Sequence, residues 1–241
     1  PKHRGLEPFF HQIQGANFVL SQRASYIAFE AGAGKTPIAP LCMNAKRGPT
    51  IIICPSFLKL NWEDELEKWL NDFHHIQILK SQVDVLNPEA DVYIVPDSII
   101  HVHNIREQFF KLGRRFRYVF VDEAHRYKSE DAKRTWSLVG RRKVKVGNNT
   151  VLWKGFHHIT EHIVNMSGTP MPNGRPMELF ALLSRQAPHA LNYLTKHEFG
   201  VRYCGGFESE WGWDYSGATN LDDLCYLRVN RVRDRLQLLL L

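Results

Sequence analysis

Two periods of apolar and polar positions take turns along this chain. Short, nearly unbroken apolar runs read as buried strands: Ser25 to Phe29, Thr50 to Cys54, Ile76 to Leu79, Val92 to Val95, Tyr118 to Val121 and Ile163 to Met166. Between them lie stretches with helical spacing, at residues 8 to 22, 58 to 70 and about 98 to 111. In the second of these, Leu58, Trp62, Leu66, Trp69 and Leu70 recur near 3.6 residues. Strand and helix in repetition predict an α/β fold: a mostly parallel sheet with helices on both faces, binding ligands at the carboxyl ends of its strands.

Two segments depart from that rhythm. Residues 140 to 157 read as an inserted hairpin, Lys143 to Val146 and Thr150 to Trp153, with Gly147-Asn148-Asn149 as the turn. Residues 195 to 241 read as a helix, a Gly- and Trp-rich loop and a basic helix. The expected organisation is a lobe over residues 1–194 and a helical extension over residues 195–241.

Composition narrows the class. The 241 residues are 44% hydrophobic and 23% charged, enough for a full core without disulfides. Cys42, Cys54, Cys204 and Cys225 are scattered without a C-x-x-C pair, which points to reduced thiols in an intracellular compartment. No apolar run reaches the roughly 20 residues that cross a bilayer, and Leu236 to Leu241 is far shorter. The net charge of +6 suits a polyanionic partner without identifying one.

The chemistry lies at strand ends. Phe29-Glu30-Ala31-Gly32-Ala33-Gly34-Lys35-Thr36 follows a strand and precedes a helix. Glycines let backbone N–H groups close around phosphate oxygens, with Lys35 reaching the β- and γ-phosphates and Thr36 a magnesium ion. Phe29 stands where the general pattern has Gly, and Pro40 removes an N–H where the helix is expected. Asp122 and Glu123 end the strand Val119-Phe120-Val121. Beside a phosphate loop, Asp122 would hold magnesium and Glu123 would orient the attacking water. His158 and His162 have i, i+4 spacing that could hold a metal on a helix, but a third ligand is missing, and a surface helix is the plainer reading. Arg114, Arg115 and Arg117 read as a solvated basic face, as does the run Arg141 to Lys143, which could touch a polyanionic partner.

Asp122-Glu123-Ala124-His125, with Lys128 beyond it, resembles motif II of superfamily-two helicases. Ser167-Gly168-Thr169-Pro170, with Asn173, Glu178 and Leu179, is similar to motif III of their Swi/Snf-type branch. Ile53-Cys54-Pro55-Ser56, Lys59, Asn61-Trp62 and Lys68-Trp69 resemble its motif Ia, and Leu6, Pro8, Gln12 and Gly15 its adenine-sensing Gln motif. Tyr203-Cys204-Gly205-Gly206, Trp211-Gly212-Trp213-Asp214 and Ser216-Gly217-Ala218 are similar to annealing-helicase members.

The resemblance implies a RecA-like ATP-binding first lobe. Gln12 would read adenine. Gly32, Ala33, Gly34, Lys35 and Thr36 would hold ATP, with Lys35, Asp122 and Glu123 catalytic and Thr36 and Asp122 holding magnesium. His125, Ser167 and Thr169 would couple nucleotide state to the track. Pro55, Ser56, Lys59 and Ser98 would follow the phosphates of one strand of double-stranded DNA, positioning without reading sequence. Simpler roles stand beside these: a solvated Gln12, a turn shaped by Ser167 and Thr169, an unpaired surface Lys59, and Trp211 and Trp213 as loop anchors rather than base-stacking platforms.

Helicase-like motors place arginine fingers on a second lobe. None is recognisable before Val232-Arg233 and Arg235, so the chain reads as lobe one of a larger protein. The expected activity is DNA-dependent ATP hydrolysis that drives translocation on, or remodelling or annealing of, double-stranded DNA. An RNA helicase lobe and a non-catalytic nucleotide- and nucleic-acid-binding module are the rivals. The expected location is the nucleus in a eukaryote, or the cytoplasm or nucleoid in a prokaryotic or viral setting.

Overall fold

The computed structural model describes residues 5–72, 74–146, 149–225 and 238–240. Its centre is a parallel sheet of β1 (Ala24–Ala28), β2 (Thr50–Cys54), β3 (Ile76–Ile78), β4 (Val92–Pro96), β5 (Phe116–Val121) and β8 (Thr160–Met166). They run in the order β3-β4-β2-β5-β8-β1, with Leu238–Leu240 (β11) paired parallel to the free side of β1. Residues on parallel strands buried on both faces point alternately to two cores. Ile51 and Ile53 join one cluster, and Ile52 and Cys54 the other. All three isoleucines are fully buried, and each such side chain contributes about 1.5–3 kcal/mol.

One face carries α1 (Phe10–Ser21), α2 (Ile38–Ala45) and α3 (Lys59–Trp69), which bury Val19, Cys42, Met43, Trp62 and Leu66 against it. The other carries α4 (His103–Lys111), α5 (Lys133–Val139), α6 (Met177–Gln186) and α7 (Lys196–Cys204). Phe199, Tyr203 and Cys204 of α7 share one buried cluster with Leu179 and Phe180 of α6, so α7 is packed into the lobe's core. Beyond α7, β9 (Phe207–Ser209) and β10 (Gly212–Asp214) form a small antiparallel hairpin, followed by α8 (Leu221–Cys225).

The α/β architecture matches expectation, and the differences have local causes. The segment before α4 is a set of turns rather than helix, closed by Ile99 N–H to Pro96 O and Val102 N–H to Ile99 O. The insertion is a true hairpin, β6 (Arg141–Val146) and β7 (Asn149–Trp153), paired Val146 to Asn149; its Gly147-Asn148 turn lies outside the described residues. So does the basic stretch with Val232, Arg233 and Arg235.

His158 and His162 do not share a helix. His158 sits in a short 3₁₀ turn, while His162 lies in β8, bonds to Gln22 O at 2.7 Å and stacks on Tyr118. Nor is the Arg114–Arg117 stretch a solvated face. Arg114 donates to Ala90 O at 2.7 Å, Arg115 to Thr160 O at 3.2 Å, and Arg117 to Glu161 at 2.7 Å, clamping strand starts together. Among the described residues, no helix is long and apolar enough to cross a membrane.

Candidate functional site: a nucleotide cleft at the carboxyl ends of the strands

Sheet order brings the predicted residues together. The phosphate loop follows β1 and the acidic pair follows β5, with β8 between them. Neighbouring strands lie about 4.8 Å apart, so the loop and the acids face each other across about two strand spacings. A cleft of about 650 Å³ opens there, bordered by Gly32, Lys35, Thr36, Trp62, Asp122 and Glu123 among others. Ser167 and Gly168 follow the strand between them, and Gly168 lies close against the loop. A Cβ on Gly168 would lie 3.2 Å from Ala31 N and 3.4 Å from Lys35 Nζ.

Gly32 and Gly34 take φ of +85° and +73°, the left-handed region that glycine enters without strain. The Lys35 ammonium donates to Phe29 O at 3.1 Å and Glu30 O at 3.0 Å, so it lies across the loop. The helix opens later than the loop motif predicts. Pro37 caps it and Ile38 is its first residue, which puts Pro40 in the first turn, where a helix asks for no intrahelical N–H. The late start accommodates the missing Pro40 N–H.

Gln12 is buried, and its Nε2 donates to Gly34 O at 3.0 Å while its Oε1 accepts from Phe9 N at 2.9 Å. It therefore ties α1 to the phosphate loop, as does His11 Nε2, 2.7 Å from Ala33 O.

Asp122 accepts from Trp62 Nε1 at 3.0 Å and from Glu123 N at 2.9 Å. Burial raises its carboxyl above the ordinary range, the Trp62 bond opposes this, and the Glu123 charge adds to it. Trp62 was legible in the sequence only as a core position and part of motif Ia. The structure makes it a partner of the acid, because α3 lays one face over the end of β5. Glu123 adopts φ +49°, a left-handed backbone costly for a side-chain-bearing residue.

From Glu123 a chain of contacts runs toward β8. His125 Nδ1 lies 3.2 Å from Glu123 Oε2 and 2.9 Å from Ser167 Oγ, which accepts from Thr169 N at 3.1 Å. A proton on Nδ1 lets the imidazole donate to both oxygens. Behind it, Lys128 pairs with Glu178 at 2.9 Å, and Asn173 also bonds that carboxylate. Burial acts against the Glu178 charge, but Lys128 and Asn173 outweigh it and hold the carboxyl below its usual range.

The predicted track residues form a separate ridge on the same sheet edge. Ser56 and Ser98 are exposed with their hydroxyls 3.3 Å apart, Lys59 is half-buried, and Pro55 is buried beneath the turn. Asp97, which sequence reasoning passed over, is buried and ion-paired to Arg126 at 2.8 Å, anchoring the segment that carries Ser98.

The fold and cleft define a class: a RecA-like α/β lobe with a P-loop at the carboxyl ends of its strands. A family profile described as "SNF2-related domain" matches residues 11–203, and the chain belongs to that family. It is 29% identical to the "SWI/SNF-related matrix-associated actin-dependent regulator of chromatin subfamily A-like protein 1" of Bos taurus, over 91% of this chain and 21% of that protein. It is 30% identical to the "DNA annealing helicase and endonuclease ZRANB3" of Mus musculus, over 91% of this chain and 20% of that protein. The chain thus spans about a fifth of the length of these curated relatives. Among solved structures, the Sulfolobus solfataricus SWI2/SNF2 ATPase core in complex with dsDNA superposes with a TM-score of 0.60 at 18% identity, covering 82% of this chain and 40% of that one.

Proposed function

We propose that this chain is the ATP-binding lobe of a DNA-dependent ATPase that translocates on, remodels or anneals double-stranded DNA. The observation that carries this reading is the facing of Lys35 and the Asp122–Glu123 pair across one cleft, with Glu123 joined through His125 to Ser167. Gly32, Ala33, Gly34, Lys35 and Thr36 bind the triphosphate. Gln12, already fixed to Gly34, reads adenine with its second N–H and its second lone pair.

The residues present fit a magnesium ion. Each Asp122 oxygen accepts one protein hydrogen bond and keeps a lone pair, and the Thr36 hydroxyl makes no bond among the described residues. Two oxygen donors suit a cation that keeps water and phosphate oxygens for its other positions. Bound there, magnesium would supply positive charge against the β- and γ-phosphates. Asp122 and Thr36 hold it, Lys35 meets the phosphate oxygens, and Glu123 aligns the attacking water and draws on its proton. His125 then senses the Glu123 carboxylate and passes its position to the Ser167–Thr169 turn. Pro55, Ser56, Lys59 and Ser98 lie along one DNA strand's phosphates.

The charge developing on the transferred phosphoryl group calls for an arginine finger, worth about 10³–10⁵ in rate, and a second lobe is the partner proposed to supply it. The relatives' names, which speak of chromatin and DNA annealing, favour DNA over RNA as the track and the nucleus as the site of action in a eukaryote.

The test is phosphate release by this chain, alone and joined to a second α/β lobe, with and without duplex DNA. The expected result is very slow release alone and strong duplex stimulation in the joined form. Stimulation by RNA and not by duplex DNA would transfer the assignment to an RNA helicase lobe. Strong stimulation of the chain alone would overturn the two-lobe reading.

A further inference from the structure

At the opposite end of the sheet from the nucleotide cleft, under the amino ends of β1 and β8, lies a second cavity of about 290 Å³. Its walls include Arg23, which precedes β1, Thr160, which opens β8, His157 between α5 and β8, and Arg185, Gln186 and His189 at the end of α6 and just after it. Charges of one sign meet here. The guanidinium groups of Arg23 and Arg185 have no hydrogen-bond or ion-pair partner among the described residues. Arg185 also borders a neighbouring hollow containing Glu130 and Asp131, but Glu130 is already paired with Lys196 at 2.7 Å.

Two buried polar groups in the walls are also unmet. Gln186 is buried and accepts from Asn165 at 2.6 Å through its Oε1, yet its Nε2 has no acceptor. His189 Nε2 is likewise enclosed and without a partner. A buried donor left unpaired is costly, so the Gln186 amide, with a His189 Nε2 that donates in one tautomer, beside two unpaired guanidinium groups describes a site lacking its acceptor. The imidazole of His157 agrees with this. Burial first, then His158, Arg23 and Arg185, push it down to about 4, while the bond to Leu138 O opposes them; every neighbouring charge acting on it is positive.

We propose that this cavity is a phosphate-binding site, in which the Arg23 and Arg185 guanidinium groups engage a single phosphate group and Gln186 and His189 donate to its remaining oxygens. Guanidinium forks match phosphate oxygens in pairs. The volume sits at the small end of ligand pockets, which suits one phosphate, free or at the end of a nucleic-acid strand, and is too small for a duplex. The site is separate from the phosphate loop, which lies at the other end of the same strand β1, and the proposal does not depend on how that loop is used.

The test is a titration of inorganic phosphate into the chain labelled with ¹⁵N-histidine, following the His157 and His189 ring nitrogens. Saturating shifts are expected in the chain and in Lys35→Ala, which disables the phosphate loop. Arg23→Gln and Arg185→Gln should each weaken the response by about tenfold, as for loss of a charge-assisted hydrogen bond. Both arginines are exposed, so these replacements leave the core intact.

Absence of a saturating shift would overturn the proposal, as would shifts unchanged in both arginine variants or lost in Lys35→Ala. Equal binding of acetate would overturn the choice of phosphate. A trinucleotide with and without a 5′-phosphate then identifies the source. Tighter binding of the phosphorylated form than of inorganic phosphate, lost in the arginine variants, assigns a strand end. Equal binding of the two assigns free phosphate.

Discussion

Asp122 and Ser98 both stand just past the end of a parallel strand, yet their surroundings differ. Asp122 is half-buried at the cleft wall, bonded through both oxygens, and flanked by a residue in a strained backbone. Ser98 is exposed, and among the described residues its side chain bonds to another exposed hydroxyl, at 3.3 Å. The nucleotide side of this edge is therefore built before its ligand arrives, with Gln12, Trp62 and His125 each fixing a neighbour. The ridge is held from below, by Asp97 and Arg126, and leaves its upper surface free. If, as proposed, the cleft takes nucleotide and the ridge a DNA track, the first calls for one fixed geometry and the second for release and regripping, and the two constructions match those demands.

Five substitutions put this contrast to work. The largest effect is expected for Glu123→Gln in a two-lobed form. Turnover should fall by about 10²–10⁴ while ATP stays bound, measured by phosphate release beside filter retention. Turnover close to wild type would remove Glu123 from the water-orienting role. Lys35→Ala should weaken binding of a fluorescent ATP analogue by about 10–100-fold, the scale of a lost charged hydrogen bond; unchanged affinity would sink the phosphate-loop assignment.

Trp62→Phe keeps the ring and removes the indole donor. The Asp122 carboxyl is already raised by burial, and Trp62 favours its ionised form. Magnesium-dependent nucleotide binding should hold at neutral pH and be lost as pH falls through the Asp122 value. The variant should move that loss to higher pH and weaken binding about fivefold. A pH profile identical to wild type would show the bond to be idle.

Smallest of all, Ser56→Ala and Ser98→Ala should each reduce duplex affinity only about twofold to fivefold, leaving ATP affinity unchanged and a steep loss of binding with salt. A large drop in ATP affinity in either variant would mean that the ridge and the pocket are one site.

Much of this was legible in the sequence because strands buried on both faces cannot hide. The runs Thr50–Cys54 and Val119–Val121 have no polar face, so their ends, and the acids and serines there, could be placed early. The adjacency of Lys35 and Asp122 followed from motif order rather than from any local pattern. What could not be read was the reach of side chains across elements. Trp62 looks like any helix core position until β5 is set beneath α3. Arg114 and Arg117 look solvated until the carbonyls at strand starts are seen within reach. Histidine spacing misled because i, i+4 has meaning only on a helix, and His162 belongs to a strand. The hollow at the amino ends gave no signal, since Arg23 and Arg185 are 162 positions apart in the chain.

The two prolines of α2 have a bearing on hydrogen exchange. Pro37 and Pro40 carry no amide proton, and the other first-turn amides are taken: Ile38 N bonds Lys35 O, Ala39 N bonds Thr36 O, and Leu41 N bonds Pro37 O. By contrast, the amides of Gly32, Gly34, Lys35 and Thr36 donate to no protein acceptor among the described residues. Only the loop, and not the helix behind it, has protons to offer an anion. Slowed exchange on nucleotide binding would therefore be confined to a segment of about five residues, ending sharply at Pro37. That boundary would serve as an internal ruler for where the phosphates sit.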